Sequence, residues 1–169
     1  MKRESKELSV VGLKRLRAQG YTSQSDQELC QLAFGNRFAY QSCVTILIIG
    51  VTFSSIPILT VMTFVAFLGV ILPNHPFDYF YNMVLSKRMK KPQLPPRSIQ
   101  LKFACTLATL WIATTTYLFY QGMIISGYVI GGLLIGTVML VATIDFCVPS
   151  IVYNALFSKQ GRTTSQIKV

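Results

Sequence analysis

The side chains of this chain that could do chemistry are few and widely separated: Cys30, Cys43, Cys105 and Cys147, a single histidine, His75, and the acids Asp78 and Asp145. Thiol, imidazole and carboxylate groups together can bind a soft metal or exchange sulfur, and a thiol reacts best where nearby positive charge lowers its pKa. Cys43, His75, Asp78, Cys105, Asp145 and Cys147 each fall near one end of an uncharged apolar stretch, so helix ends could gather them into one cluster. Isolated cysteines in apolar helices also serve as small packing residues, and Asp145 would equally suit a basic partner at headgroup level. There is no Cys-x-x-Cys and no second histidine, which leaves neither a zinc set nor a haem held by two histidines of one chain. His75 with a methionine, or with a residue of another chain, stays open as a haem pair. No cofactor, firm metal site or catalytic residue is predicted.

The elements that must position these residues are apolar helices. Positions 38–77 and 103–144 contain no Lys, Arg, Asp or Glu; the stretches are 40 and 42 residues long. A single crossing needs about 20 apolar residues, so each stretch is either one steeply tilted helix or two short ones joined by a turn. Ser54-Ser55-Ile56-Pro57 interrupts the first stretch, and Pro57 suits the first turn of a new helix because it has no N–H to lose there. Gln121-Gly122 and Ser126-Gly127 play that part in the second. The predicted spans are 38–54, 57–73, 103–120 and 127–147.

Charge tests this arrangement independently. The chain is 51% hydrophobic and 13% charged with a net charge of +10. Its 16 Lys and Arg fall in three segments: seven up to Arg37, six from Lys87 to Lys102 and three from Lys159 onward. With four spans all three share one face, which the positive-inside rule makes cytoplasmic, and both termini lie there. Basic residues that flank apolar runs, rather than cover a polar face, exclude nucleic acid and point to anionic lipid headgroups. On that face the thiols would meet a reducing compartment. Met1 to Glu7 lead into no compact apolar core, so no cleaved signal peptide is expected.

The two apolar stretches read as a duplication. Arg37-Phe38-Ala39 matches Lys102-Phe103-Ala104 where they begin. Tyr81-Asn82 with Ser86-Lys87 matches Tyr153-Asn154 with Ser158-Lys159 where they end. The offset grows from 65 to 72, and the additional seven residues are expected in the turn around Gly122 to Ser126. Repeats that start and finish on one side are parallel, related by an axis along the membrane normal. Pro76 and Pro149 precede the Tyr-Asn pairs and should kink or restart a helix. Phe77, Tyr81, Val84 and Leu85 suit a helix lying at the headgroup boundary. Tyr40, Tyr79, Tyr81 and Tyr153 would make an inner aromatic belt, and Tyr117, Phe119 and Tyr120 an outer one.

The expected organisation is all-α, an integral membrane four-helix bundle of two parallel-repeat hairpins. Its parts are a cytoplasmic cap at 1–35, the first hairpin with an interfacial helix at 36–88, a basic proline-rich loop at 89–100, the second hairpin at 101–159 and a tail at 160–169. In the cap, Leu13 and Leu16 beside Lys14, Arg15 and Arg17 suit a surface helix. Ser25-Asp26-Gln27-Glu28 reads as a capping box opening a second short helix that Gly35-Asn36 would end. Lys87, Arg88, Lys90, Lys91 and Arg97 are predicted to form a surface for lipid or a partner. Gly127-x-x-x-Gly131, Gly132-x-x-x-Gly136 and Ala104-x-x-x-Ala108 would let helices approach closely, within the bundle or in a homo-oligomer. Trp111 reads as a packing residue, and Thr114 to Thr116 and Ser54-Ser55 as groups bonded back to their own helices.

No ionisable group occupies the middle of any span, which argues against an ion pump. Three functions remain. The first is a non-catalytic accessory or scaffold subunit of a membrane complex, the second a thiol-, sulfur- or metal-handling membrane protein, and the third a small-solute transporter resting on the repeat alone. Arg37-Phe38-Ala39, Lys102-Phe103-Ala104 and above all Phe146-Cys147-Val148-Pro149-Ser150-Ile151-Val152-Tyr153 carry a resemblance. The chain resembles a family of small four-helix bacterial inner-membrane proteins known only as a domain of unknown function, over about residues 36–158. The resemblance implies an inner-membrane location. Members often have two cysteines in the final motif where this chain has only Cys147, which weakens any redox role the likeness would bring.

Overall fold

A computed structural model describes residues 10–157; the segments 1–9 and 158–169, with the Ser158-Lys159 end of the second repeat and the tail at 160–169, lie outside the described residues. The described residues are all-α without strands. Helix α1 is Val10–Ala18, α2 Asp26–Thr52, α3 Ile56–Ile71, and α4 Pro76–Phe80. A π-helical turn at Tyr81–Leu85 joins α4 to α5, Ser86–Met89. Then follow α6, Ile99–Tyr120, α7, Ile124–Ile144, and α8, Val148–Phe157. Three helices, α2, α6 and α7, are long and apolar enough to cross a membrane. A fourth crossing results if α3 is taken with the α4–α5 segment, which bends away from it by 78°. At 1.5 Å per residue the 16-residue α3 covers about 24 Å against about 30 Å of hydrocarbon, whereas α6 covers about 33 Å.

The local signals decide most helix ends. Ser25 accepts from the Glu28 N–H while the Glu28 carboxylate accepts from the Ser25 N–H, so α2 opens on a reciprocal cap. Pro57 sits in the first turn of α3 after Ser54, whose φ is +47°. Gly122, with φ +72°, turns α6 into α7, a conformation L side chains avoid. Other expectations fail for tertiary reasons. Gly35-Asn36 does not end a helix: α2 runs through it without a break. A Cβ at Gly35 would lie 2.7 Å from the Tyr81 ring, and Asn36 is held by Gln19 and Tyr21, so both residues answer contacts rather than a stop. Ser126-Gly127 is likewise inside α7, where the missing side chain seats the Phe119 ring. The two inter-helix turns, 53–55 and 121–123, have the same length. The seven additional residues expected in the second turn are therefore not there.

Helix α2 packs on α3 and α7, and α6 on α3 and α7. Leu47, Val51, Leu59, Met62, Ala66, Ile112, Phe119 and Leu134 fill the space between them. Outward residues such as Val61, Phe64, Leu110, Ile125, Val129 and Leu133 are exposed apolar side chains, as a lipid-facing surface requires. The turns carry Ser54, which donates to the Tyr128 hydroxyl, and no cation. All ten Lys and Arg among the described residues lie at the opposite end. There α4 lies against α2, the start of its own hairpin, and α8 against α6, the start of its own.

The cap is more deeply built in than a surface helix. Leu16, Tyr21, Leu29, Ala33 and Leu101 form a buried cluster, and Gln19 is fully buried. Gln19 Nε2 donates to the Asp145 carbonyl, Asn36 Nδ2 donates to Gln19 Oε1, and Ser98 Oγ donates to the Gln19 carbonyl, so one side chain and its backbone join the cap, α2, α6 and α7. Tyr81 and Phe119, expected in aromatic belts, are buried instead. Tyr81 fills the space above Gly35 beside Leu32 and Leu94.

Candidate functional site

The site lies at the end of α2, α3, α6 and α7 where the cations gather. After α3, His75 caps α4: its Nδ1 accepts from the Phe77 N–H at 3.3 Å, and the Asp78 carboxylate accepts from the His75 N–H at 3.0 Å. This reciprocal cap fixes the His75 ring against Gly69, whose absent side chain makes room for the ring and for Cys105 Sγ. Asp78 is further bound by Arg97, Nε to Oδ2 at 2.6 Å and Nη2 to Oδ1 at 3.1 Å. Arg97 reaches it from the proline-rich segment before α6, anchored by its own N–H to the Pro73 carbonyl at 2.7 Å. Its remaining arm, Nη1, donates to Cys105 Sγ at 3.3 Å, and the guanidinium stands 5.5 Å from the Tyr40 ring centre. Arg97 was expected on the surface with Lys87, Arg88, Lys90 and Lys91; its side chain is only 5% exposed, because Asp78 offers the buried cation its counter-charge. Lys87, Arg88 and Lys90 are exposed, while Lys91 stands 3.6 Å from the centre of the Phe34 ring.

The second hairpin ends in a related way. Cys147 precedes α8 as His75 precedes α4, and Ser150, three residues on, donates to Cys147 Sγ at 3.1 Å, opposite in direction to the bond that the His75 N–H donates to Asp78. Asp145, in left-handed conformation with φ +56°, closes α7 two residues before Cys147. Arg37 of α2 donates to its Oδ2 through Nε at 2.8 Å and through Nη2 at 2.5 Å, while Oδ1 is buried without a partner.

Cys43, His75, Cys105 and Cys147 come together around one cavity of about 480 Å³, between the long helices. Tyr40 and Arg97 join them at its polar end, and Ala104, Ala108, Leu47, Met62, Trp111 and Leu134 are among its apolar walls. Asp78 stands behind Arg97, and Asp145 faces the cap rather than this space. Cys30 lies apart in the first turns of α2. Among the described residues, no three His, Cys, Asp or Glu side chains are grouped so that they could hold a metal ion. Both Asp78 oxygens are consumed by Arg97 and the His75 N–H, which removes the carboxylate a metal set would need.

Burial, reinforced by the Arg97 charge, lowers the His75 pKa to about 3, so the imidazole is neutral at physiological pH. With Nδ1 accepting from a backbone N–H, the ring proton resides on Nε2. Burial raises the Cys147 thiol against the opposing help of Ser150, which keeps it protonated at neutral pH. Burial is the largest influence on Arg97 and opposes its charge, but the Asp78 charge and hydrogen bonds, together with the other polar groups around the guanidinium, outweigh it and keep it protonated. The small-residue motifs divide. A Cβ on Gly131 would lie 2.9 Å from Val51, whereas Gly132 and Gly136 face open space. Arg97 and Tyr40 are the site residues the sequence reading did not place there. Tyr40 was detectable, because the offset of 65 pairs it with Cys105.

A family model described as a domain of unknown function, DUF4395, matches residues 34–157. No curated protein and no solved structure matches the chain. The match covers well over half of the sequence and includes every cavity residue named above, and the chain belongs to this family.

Proposed function

We propose that this member of the DUF4395 family is a four-span protein of a bacterial inner membrane with both ends cytoplasmic, acting as a non-catalytic accessory or scaffold subunit. The observation that carries this reading is the use made of its buried charges. Arg97 and Arg37 each tie the start of one hairpin to the carboxylate that ends the other, so these charges serve assembly and none is left free to relay protons or ions. A protonated Cys147 and a neutral His75 fit the same role.

The cytoplasmic assignment rests on the ten cations gathered at one end. Lys87, Arg88 and Lys90 suit anionic headgroups, and the open Gly132-x-x-x-Gly136 face suits a second membrane helix, from another copy or a partner subunit. The duplication draws support from paired features: α3 on α6 matches α7 on α2, α4 on α2 matches α8 on α6, and His75 with Asp78 matches Cys147 with Ser150. Purification from native membranes, with identification of co-purifying chains and of oligomeric state, tests the subunit role. Stoichiometric recovery of another membrane protein supports it; a clean monomer or homodimer overturns it.

The three thiols around one cavity favour a second reading, a thiol- or sulfur-handling protein. Replacing Cys43, Cys105 and Cys147 together by Ala separates the two. Unchanged assembly with lost thiol reactivity and lost cellular function favours sulfur chemistry, and unchanged function favours the scaffold.

A further inference from the structure

We propose that the cavity between the long helices is a binding site for a lipid-soluble molecule with an apolar body and a neutral, hydrogen-bond-accepting carbonyl head. Its volume of about 480 Å³ lies within the roughly 300–1,000 Å³ of sites that enclose small ligands. The walls are aliphatic and aromatic, which fits a molecule that partitions into the bilayer rather than a polar solute.

The polar end is unbalanced in a way that selects the head. Trp111 Nε1 is already satisfied by the Ile130 carbonyl, so it makes no demand on a ligand. The Tyr40 hydroxyl is buried without any partner. His75 uses Nδ1 as acceptor for its own helix cap, which leaves Nε2–H as a donor with no hydrogen bond among the described residues. Arg97 has N–H groups beyond those bonded to Asp78 and Cys105. The Tyr40 oxygen is one acceptor, but against it stand the Tyr40 O–H, the His75 Nε2–H and the spare Arg97 N–H groups, and the sulfur atoms of Cys43, Cys105 and Cys147 are weak acceptors only, so donors outnumber acceptors. An unmade hydrogen bond at a buried donor costs more than a made one gains, so an acceptor is what this end lacks. The charge of Arg97 is matched by Asp78, so an anionic head would arrive as an uncompensated charge in a low-dielectric space; a carbonyl oxygen would not.

Two sources present this chemistry, an isoprenoid-type quinone and the ester carbonyl of an acyl glycerol. Trp111 is the chain's only tryptophan and lines the cavity, so its fluorescence reports occupancy directly. Delipidated full-length protein in detergent is titrated with decyl-ubiquinone, and then with monoolein in competition. Saturable quenching that monoolein does not reverse assigns a quinone, and saturable quenching that monoolein reverses assigns an acyl carbonyl. Quenching that rises linearly without saturation, as for partition into the micelle, overturns the proposal.

Tyr40→Phe removes only a hydroxyl that has no partner, so it leaves the fold intact and raises the dissociation constant about 5- to 10-fold. Ala108→Phe fills the cavity and abolishes saturable quenching. A Tyr40→Phe protein that binds with unchanged affinity overturns the donor assignment, whatever the behaviour of the filled variant.

Discussion

Arg97→Leu is the perturbation that reads the site's architecture most directly. The Asp78 and Arg97 side chains are 4% and 5% exposed, so no water stands ready to replace a lost partner. Removing the guanidinium strips two charge-assisted hydrogen bonds from Asp78 and leaves its buried carboxylate with the His75 N–H alone. The cost of orphaning such a charge is about 3–5 kcal/mol, enough to lower the melting temperature in detergent by roughly 10 °C. Asp78→Asn keeps an oxygen for the His75 N–H but leaves Arg97 without a counter-charge, and should cost a similar amount. The double variant removes both charges and should be far less destabilised than the two single losses added together, with a coupling of about 2–3 kcal/mol. Arg37→Leu is the comparison, because Arg37 is 35% exposed and the space it vacates admits water to Asp145; its loss should be about half as large. Unfolding followed by fluorescence-detected gel filtration across a temperature series gives all four values. An Arg97→Leu protein that melts within about 2 °C of wild type, or additive single losses, would refute the view that this pair locks the hairpins together.

The remaining expectations concern the same inner end and the helix contacts. Because folding lowers the His75 pKa from 6.5 to about 3, the unfolded chain takes the proton first; the stability this gives is complete above about pH 6.5 and is lost as pH falls toward 3. Acidification from pH 7 to 5 should therefore cost about 2 kcal/mol, and His75→Asn, which can still cap α4, should flatten the profile in a pH series of melts. Gly35→Val drives a side chain into the Tyr81 ring and should cost about 1–3 kcal/mol, and because Tyr81 is itself core, the Gly35→Val/Tyr81→Ala double variant should lose less than the two single losses added together. Gly131→Leu should lower the melting temperature because its Cβ meets Val51, whereas Gly132→Leu should leave the monomer stable and weaken any homo-oligomer seen by light scattering.

Features of the fold that depend on neighbours along the chain were legible in the sequence. Ser25 with Glu28, Pro57 and Gly122 marked real helix ends because capping chemistry, a missing N–H and a left-handed φ are decided within a few residues. Gly35 and Gly127 misled for a common reason: a glycine that ends a helix and a glycine that admits a distant ring look the same in one dimension. The cysteine and histidine members of the cluster were placed at the correct end by sidedness, and the cavity then drew Cys43, His75, Cys105 and Cys147 together. Asp145 was separated from them by the cap, whose Gln19 gave no sign in sequence that it would be buried. Arg97 was misplaced because its charge was read with a run of surface lysines, although the acid that draws it inward, Asp78, stands only 19 positions earlier.

The two crosswise ion pairs also set a timetable for assembly. Arg97 emerges from the ribosome after its partner, 19 residues behind Asp78, and can pair at once. Arg37 must wait for a carboxylate 108 residues downstream, an interval of roughly 5–20 s at ordinary rates of synthesis. Throughout that interval the first hairpin holds an unmatched cation and half a cavity. The closing contact at Asp145 forms only after α7 has been made, so truncation before that residue leaves Arg37 without its counter-charge.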